Sequence, residues 1–316
     1  MAQTFASTGD MADKVVTFST IGPGLYAYTA EGDPNTGIIE GDDCCMVIDA
    51  QATPAMAGDV IRRVAAVTPK PIKYVLLSHY HAVRVLGASA YGASEIIASR
   101  ATRDLIVERG AEDMASEIGR FPRLFRGADT IPGLTWPTLV FDGVLTLWLG
   151  NRRVDVLVPG RGHTAGDTIA WVPDAEVMFS GDLVEYRSAC YCGDAHLEDW
   201  PKTLKVLAAY QPKALMPGRG DALVGPDTVR AAMSGTSAFL EALYATAQRS
   251  VSQGRTLKET FADVRKAMEA PFGSYAIYEH CLPFNVSRAF DEARGIAHPR
   301  IWTDQRDRDM WMALQG

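Results

Sequence analysis

Four short apolar runs in this chain end in residues that bind metals or carry charge. KYVLLS at 73–78 runs into His79, Tyr80 and His81. RVDVLVPG leads to Arg161, Gly162 and His163. VMFSG stops at Asp182, and ALMPG stops at Arg219. Apolar runs of this length, bounded by glycine or proline, read as strands covered on both faces. Stretches with helical spacing lie between them. Residues 53–68 place Ile61, Val64 and Ala65 on one face, and WPKTLKVLAAY at 200–210 places Leu204, Leu207 and Ala208 inward. Strands alternating with helices predict a layered α/β domain. Ligands of open α/β sheets bind beyond the carboxyl ends of the strands, where these polar residues stand.

The pattern occurs twice. Residues 15–100 read as the strands VVTFSTI, GLYAYTA, TGIIEGD and CCMVIDA, then a helix, then KYVLLS and EIIAS. Residues 138–225 repeat the order with LVFDG, VLTLWLG, RRVDVLVPG, TIAWVPD and VMFSGD before the helix at 200–210. A charged helix at 101–120 and a loop, FPRLFRGADTIPG, join the halves. From Pro226 the composition is helical, with Phe239, Leu240, Leu243 and Tyr244 on one stripe. Two further helices are expected near 256–269 and 284–295. The organisation expected is a loose arm over 1–14, a core domain over 15–225 and a helical extension over 226–316 packed on it.

Composition narrows the class. A chain of 316 residues buries a sizeable core without disulfides. Lys+Arg is 31 and Asp+Glu is 38, so the net charge of −7 speaks against a general nucleic-acid binder. No apolar run approaches the ~18 residues of a membrane span, and the first residues lack the marks of a secretory signal. The five cysteines are odd in number and form no CxxC pair. A disulfide framework is therefore not expected, and a cytoplasmic location is. Homo-oligomerisation is left open.

The chemistry resides in few residues. The six histidines are His79, His81, His163, His196, His280 and His298. His79 and His81, two apart in an extended segment, face the same way. With His163 and Asp182 they offer the imidazole and carboxylate atoms that hold Zn²⁺ at ~2.0–2.2 Å with one position left for water. Two histidines and a carboxylate also suit mononuclear iron.

Taken in order, strand–HxH, strand–GHT, strand–SGD and strand–PGxG, the chain resembles the metallo-β-lactamase fold superfamily over about 20–225. SHYHAVRVLGAS corresponds to that family's His-x-His-x-Asp-His motif, GHTAGD to its third-histidine motif, FSGDLV to its metal-bridging aspartate and MPGRG to its Pro-Gly-His-Gly. NTGIIEGDDCCMVIDA resembles its opening strands, which end in a supporting aspartate, here Asp49. The resemblance implies an αβ/βα four-layer sandwich with the metal site at one edge, here followed by a C-terminal helical extension. It also implies a metal-dependent hydrolase acting on a small-molecule substrate.

Three motif positions depart from the pattern. Val83 stands where the family has aspartate, and Arg84 and Arg219 where it has histidine. Valine does not ligate and arginine has no lone pair to give. The expectation is one metal ion per chain, zinc or else iron, on His79, His81 and His163, with Asp182 in or beside the shell and no second ion. A lost divalent ion and aspartate remove +2 and −1, and the arginines return fixed positive charge. Asp182, Arg84 and Arg219 are therefore the expected catalytic set. Asp182 orients or deprotonates water, and the arginines either hold a small anionic ester, lactone, amide or thioester or only pair with Asp182 and nearby acids. A mononuclear Fe(II) oxygenase and a non-catalytic degenerate member are the alternatives.

Supporting parts follow. Arg161 is a further candidate for the cationic mouth. Asp167 is expected to hold its own loop, Asp49 to orient the HxH loop, and Tyr80 to point away from the metal. His196 reads as supporting or structural, His280, Cys281 and Asn285 as lid or packing, and His298 as surface.

Overall fold

The computed structural model describes residues 5–315. Its first sheet holds β1 (Thr17–Gly22), β2 (Leu25–Thr29), β3 (Thr36–Glu40), β4 (Cys45–Ile48), β5 (Ile72–Leu76), β6 (Glu95–Ser99) and β7 (Leu139–Phe141), side by side in that order. The first three pairings are antiparallel, and β4 to β7 run parallel. The second sheet holds β8 (Val144–Leu149), β9 (Arg152–Leu157), β10 (Ile169–Val172), β11 (Val177–Phe179), β12 (Ala214–Met216) and β13 (Leu223–Val224), again in order. Only β11 and β12 pair in parallel there. The helices are α1 (Pro54–Val67), α2 (Ala82–Val85), α3 (Arg100–Arg120), α4 (Trp200–Ala209), α5 (Pro226–Ser252), α6 (Leu257–Phe272), α7 (Tyr278–Ala293) and α8 (Asp304–Gln315).

Strand alternation sorts the apolar residues into layers. In β4, Met46 and Ile48 face the second sheet, where they join Leu76, Ile97, Phe179 and Met216. Val47 faces the other way, onto Val60 and Val64 of α1 together with Val75. In the second sheet, Ala170, Val172, Val177 and Phe179 turn to the first sheet. Ile169, Trp171, Met178 and Leu215 turn to α4 and the helices after Pro226. Each buried Val, Leu or Ile side chain is worth about 1.5–3 kcal/mol, so a one-residue slip in any of these strands is costly. The result is helix, sheet, sheet, helix.

The helices after Pro226 share one apolar cluster with the second sheet. Phe239, Leu240, Leu243, Val264, Met268 and Phe284 pack with Met178, Leu215 and Trp200. Of the arm expected over 1–14, residues 1–4 lie outside the described residues. Phe5 packs near Phe284 and Trp311, with ring centroids 5.6 and 5.3 Å away, and Ser7 is buried. Beyond the last helix expected, near 284–295, α8 forms and buries Met310 and Leu314 against the same cluster. Its spacing was hidden by the charged sequence DQRDRD. No described helix is long and apolar enough to cross a membrane.

The two sheets place their loops at one edge. β5 delivers Ser78 to His81, and β11 delivers Ser180 to Asp182. Cross-links join these loops: Thr168 N donates to Ser78 O at 2.8 Å, and Asn35 N donates to Gly218 O at 2.9 Å.

Candidate metal centre

His79, His81 and His163 are buried, and one ring nitrogen of each lies within 4.8 Å of the others. The partners of the remaining ring nitrogens decide which atoms are bare. Ser78 donates its Oγ proton to Asp49 Oδ2 at 2.9 Å and its N–H to Asp49 Oδ1 at 2.9 Å. The serine's only hydroxyl proton is thus engaged, so His79 Nδ1, 2.9 Å from Ser78 Oγ, carries a proton and donates it there. His79 Nε2 is left bare, buried and without a hydrogen-bond partner among the described residues. His163 Nδ1 lies 2.8 Å from the Tyr191 carbonyl oxygen, which accepts only, so His163 Nε2 is bare as well. His81 Nε2 lies 3.2 Å from Asp194 Oδ2, leaving His81 Nδ1 toward the centre. That atom stands 2.9 Å from His163 Nε2.

One ring nitrogen held by a protein acceptor and the other directed to a common point is the arrangement of metal-ligating histidines. The donor set therefore fits one ion. His79 lies well below the ordinary histidine pKa, through burial and its histidine neighbours, and burial pushes His163 down to about 3. Both are neutral, as ligands must be. At His81 burial opposes charge, but the bond to Asp194 and the nearby Asp113 prevail and raise its pKa to about 9. Asp194 is lowered to about 2 against the effect of burial. Its second oxygen accepts Arg109 Nη1 at 2.9 Å.

The loop that carries the first two histidines is tied from three sides. Asp49 holds it through Ser78, as expected, and burial raises that carboxyl to about 6. Asp113 and Glu117, one turn apart on α3, accept the N–H groups of Ala82 at 2.7 Å and Val83 at 3.0 Å. Asp167 holds the His163 loop, accepting Thr164 Oγ1 at 2.7 Å and Thr164 N at 3.0 Å. Tyr80 turns away into the cluster between the first sheet and its helices.

Asp182 stands across from the histidines. Its Oδ2 is 3.6 Å from His163 Nε2 and 3.9 Å from His79 Nε2. Its Oδ1 accepts Arg84 Nη2. Burial opposes ionisation of Asp182, but Arg84 and the other nearby cations hold its pKa below the usual carboxylate range. Gly218 is required for this contact, because a Cβ there would lie 2.2 Å from Asp182 Oδ1.

The two arginines, expected side by side at the mouth, part company. Arg84 is fully buried, and besides Asp182 it donates to Asn35 O at 3.0 Å and Gly218 O at 2.8 Å. With those donors engaged, it forms no part of the chamber wall. Arg219 does line the chamber, donating to Gly32 O at 3.2 Å while its Nε has no partner among the described residues. Arg161 turns aside to Asp199, with Nε 3.0 Å from Oδ2.

The chamber before the histidines is walled by Val83, Glu117, Phe121, Tyr191, Arg219, Ile277, His280 and Cys281, and holds little more than a single water. Phe121, Ile277 and His280 also line an outer pocket of about 270 Å³ and so separate the two spaces. Asn285 does not reach the chamber. It holds the Cys190–Cys192 loop, accepting Cys192 N at 2.7 Å and donating to Cys190 O at 2.7 Å. His196 is buried beside that loop, and burial lowers it to about 4. His298 is exposed and pairs with Glu108 at 2.8 Å. Sequence reading missed Asp194, Asp113, Glu117 and Ser78. The two α3 acids had a four-residue spacing that equally describes a solvated face, and Asp194 had no signal.

The chain is similar to known proteins in sequence and in fold. The family model of the metallo-β-lactamase superfamily matches residues 29–218. A metallo-β-lactamase type 2 of Bacillus cereus is 23% identical over 205 residues, covering 62% of this chain and 71% of that enzyme. One from Pseudomonas aeruginosa is 34% identical over 70 residues, a match spanning 22% of this chain and only 28% of that enzyme. Among solved structures, a metallo-β-lactamase from Pontibacter korlensis aligns with a TM-score of 0.57 at 18% identity, covering 72% of this chain and 99% of that one. The inverting sec-alkylsulfatase Pisa1 from Pseudomonas sp. aligns with a TM-score of 0.71 at 18% identity, covering 88% of this chain and 50% of that one.

Proposed function

The chain belongs to the metallo-β-lactamase superfamily, and on that premise we propose that it is a hydrolase with a single metal ion acting on a small anionic ester, lactone, amide or thioester. One observation carries the reading. Three imidazole nitrogens converge, while the guanidinium of Arg84 stands against Asp182 where the family's motif would place a second ligand. His79, His81 and His163 would hold the ion. Zinc in such a site supplies Lewis acidity that lowers the pKa of water toward ~7. Asp182 Oδ2 accepts a hydrogen bond from the attacking water and orients it. Arg84 holds Asp182 in place and ionised. Arg219 offers its unpartnered Nε–H to the substrate's anionic group or to the oxyanion that develops in attack.

The substrate remains to be chosen by assay. Alkyl sulfates are anionic esters, and the likeness to a sec-alkylsulfatase extends over 88% of this chain. They belong in the same screen as carboxylic esters, lactones and thioesters. The test is metal analysis of protein purified without added metal, followed by that screen. About one zinc per chain, with hydrolysis lost to a chelator and restored by zinc, is the expected result. Two zinc ions per chain would overturn the single-ion reading. Iron with oxygen consumption would replace it by the oxygenase, for which His79, His163 and Asp182 supply the ligand set.

A further inference from the structure

His280 lies in the first turn of α7 and is buried against Phe121 and Phe284, with ring centroids 3.8 and 5.4 Å away. It lines both the inner chamber and the outer pocket. Its Nδ1 is 2.6 Å from Ser7 Oγ, and Ser7 Oγ is 2.5 Å from the carbonyl oxygen of Arg120. A carbonyl cannot donate, so the single hydroxyl proton of Ser7 goes to Arg120 O. Nδ1 must then carry the ring proton and donate it to Ser7. Nε2 remains bare and buried, without a partner among the described residues. Burial and the charges of Arg120 and Arg219 hold the ring neutral.

Hydrolysis must move a proton from the attacking water to the leaving group. The carboxylate nearest that water is poorly placed for the whole task, because one oxygen of Asp182 is tied to Arg84. Among the fully buried unpartnered atoms of the chamber wall, His280 Nε2 is an acceptor, and Arg219 Nε beside it is a donor. We propose that His280 is the proton carrier between the attacking water and the leaving group. Nε2 accepts a proton from water as the water oxygen bonds to the acyl carbon. It returns that proton to the leaving oxygen as the acyl C–O bond breaks. The products are a carboxylic acid and an alcohol, and the ring ends as it began. Ser7 and the Arg120 carbonyl are positioning groups that keep the Nδ1–H tautomer through both transfers. The inference rests on the hydrolase reading above.

Leaving groups distinguish this role from packing. A nitrophenolate departs without a proton, whereas an alkoxide needs one. The probes are p-nitrophenyl hydrogen succinate and ethyl hydrogen succinate, assayed with wild-type, His280→Gln and Ser7→Ala proteins whose zinc content is measured. His280→Gln is expected to lose on the order of 10²-fold or more in kcat/KM on the ethyl ester, as for a lost general acid–base, and roughly tenfold less than that on the nitrophenyl ester, which needs the base in attack but not the returned proton, with zinc unchanged. Equal losses on both esters would overturn the relay while leaving the hydrolase. Turnover of neither ester by zinc-loaded wild-type protein would overturn the relay on carboxylic esters and leave the hydrolase reading to the wider screen. Nitrogen-15 NMR of the histidine rings, with His280 assigned by its loss in His280→Gln, reads the tautomer without any turnover. A bare Nε2, with the preference weakened in Ser7→Ala, supports the relay. A protonated Nε2 in the wild-type protein overturns it.

Discussion

The two halves of the cleft edge are built from opposite materials. On one side, three imidazoles turn ring nitrogens to one point, each fixed by a partner behind it: Ser78, Asp194 and the Tyr191 carbonyl. On the other, Arg84 and Arg219 present donors, and both terminal nitrogens of Arg84 are engaged by Asp182 and backbone carbonyls. The first half gathers the donor atoms that a cation would take. The second already contains its cation as a covalent part of the chain. Motif positions that ordinarily share one task are thus divided here between binding and stability, so substitutions on the two sides should fail in different ways.

The largest expected effect is on the imidazole side. His163→Ala removes a ligand position and should abolish metal retention through dialysis, read by elemental analysis. Retention equal to the wild type would break the comparison. On the arginine side, Arg84→Met should leave metal affinity in place while costing about 3–5 kcal/mol of stability, because Asp182 is left buried and unpaired. Denaturant unfolding measures this, and Asp182→Asn in the same background should recover a large part of the loss. Arg219→Gln should show the reverse balance, with a small change in stability and a loss on the order of 10²–10³ in kcat/KM. A large stability loss with unchanged kinetics would place Arg219 with Arg84. Asp194→Asn tests the support behind His81, and zinc titration should show binding weaker by about 10–100-fold. His196→Gln is the mildest. His196 is lowered from 6.5 to about 4 by burial, so its neutral form favours the fold above pH 6.5, and that stability is lost as pH falls from 6.5 toward 4. The variant should keep its metal and lose part of this acid sensitivity, about 1–3 kcal/mol, measured by unfolding at pH 7 and pH 4.5.

The layers of the fold were legible because buried strands write their faces into consecutive residues, as Met46, Val47 and Ile48 do. The three histidines were legible because each follows a strand end. Their partners were not. Asp194 reaches His81 from 113 positions away in sequence, and no spacing rule links such residues. Nor did residue type separate the arginines. Arg84 and Arg219 looked equivalent on the page, and only the packing around Asn35, Gly218 and Asp182 sets one behind the chamber and the other on its wall.

The wall between chamber and outer pocket carries a last consequence. Ile277 holds φ = 55° just before α7, a left-handed conformation that a β-branched residue adopts at a cost of about 1–3 kcal/mol. It shares that wall with Phe121 and His280. If that wall opens to admit a substrate, the strain held at Ile277 is released with it, so part of the cost of opening is already stored in the closed backbone.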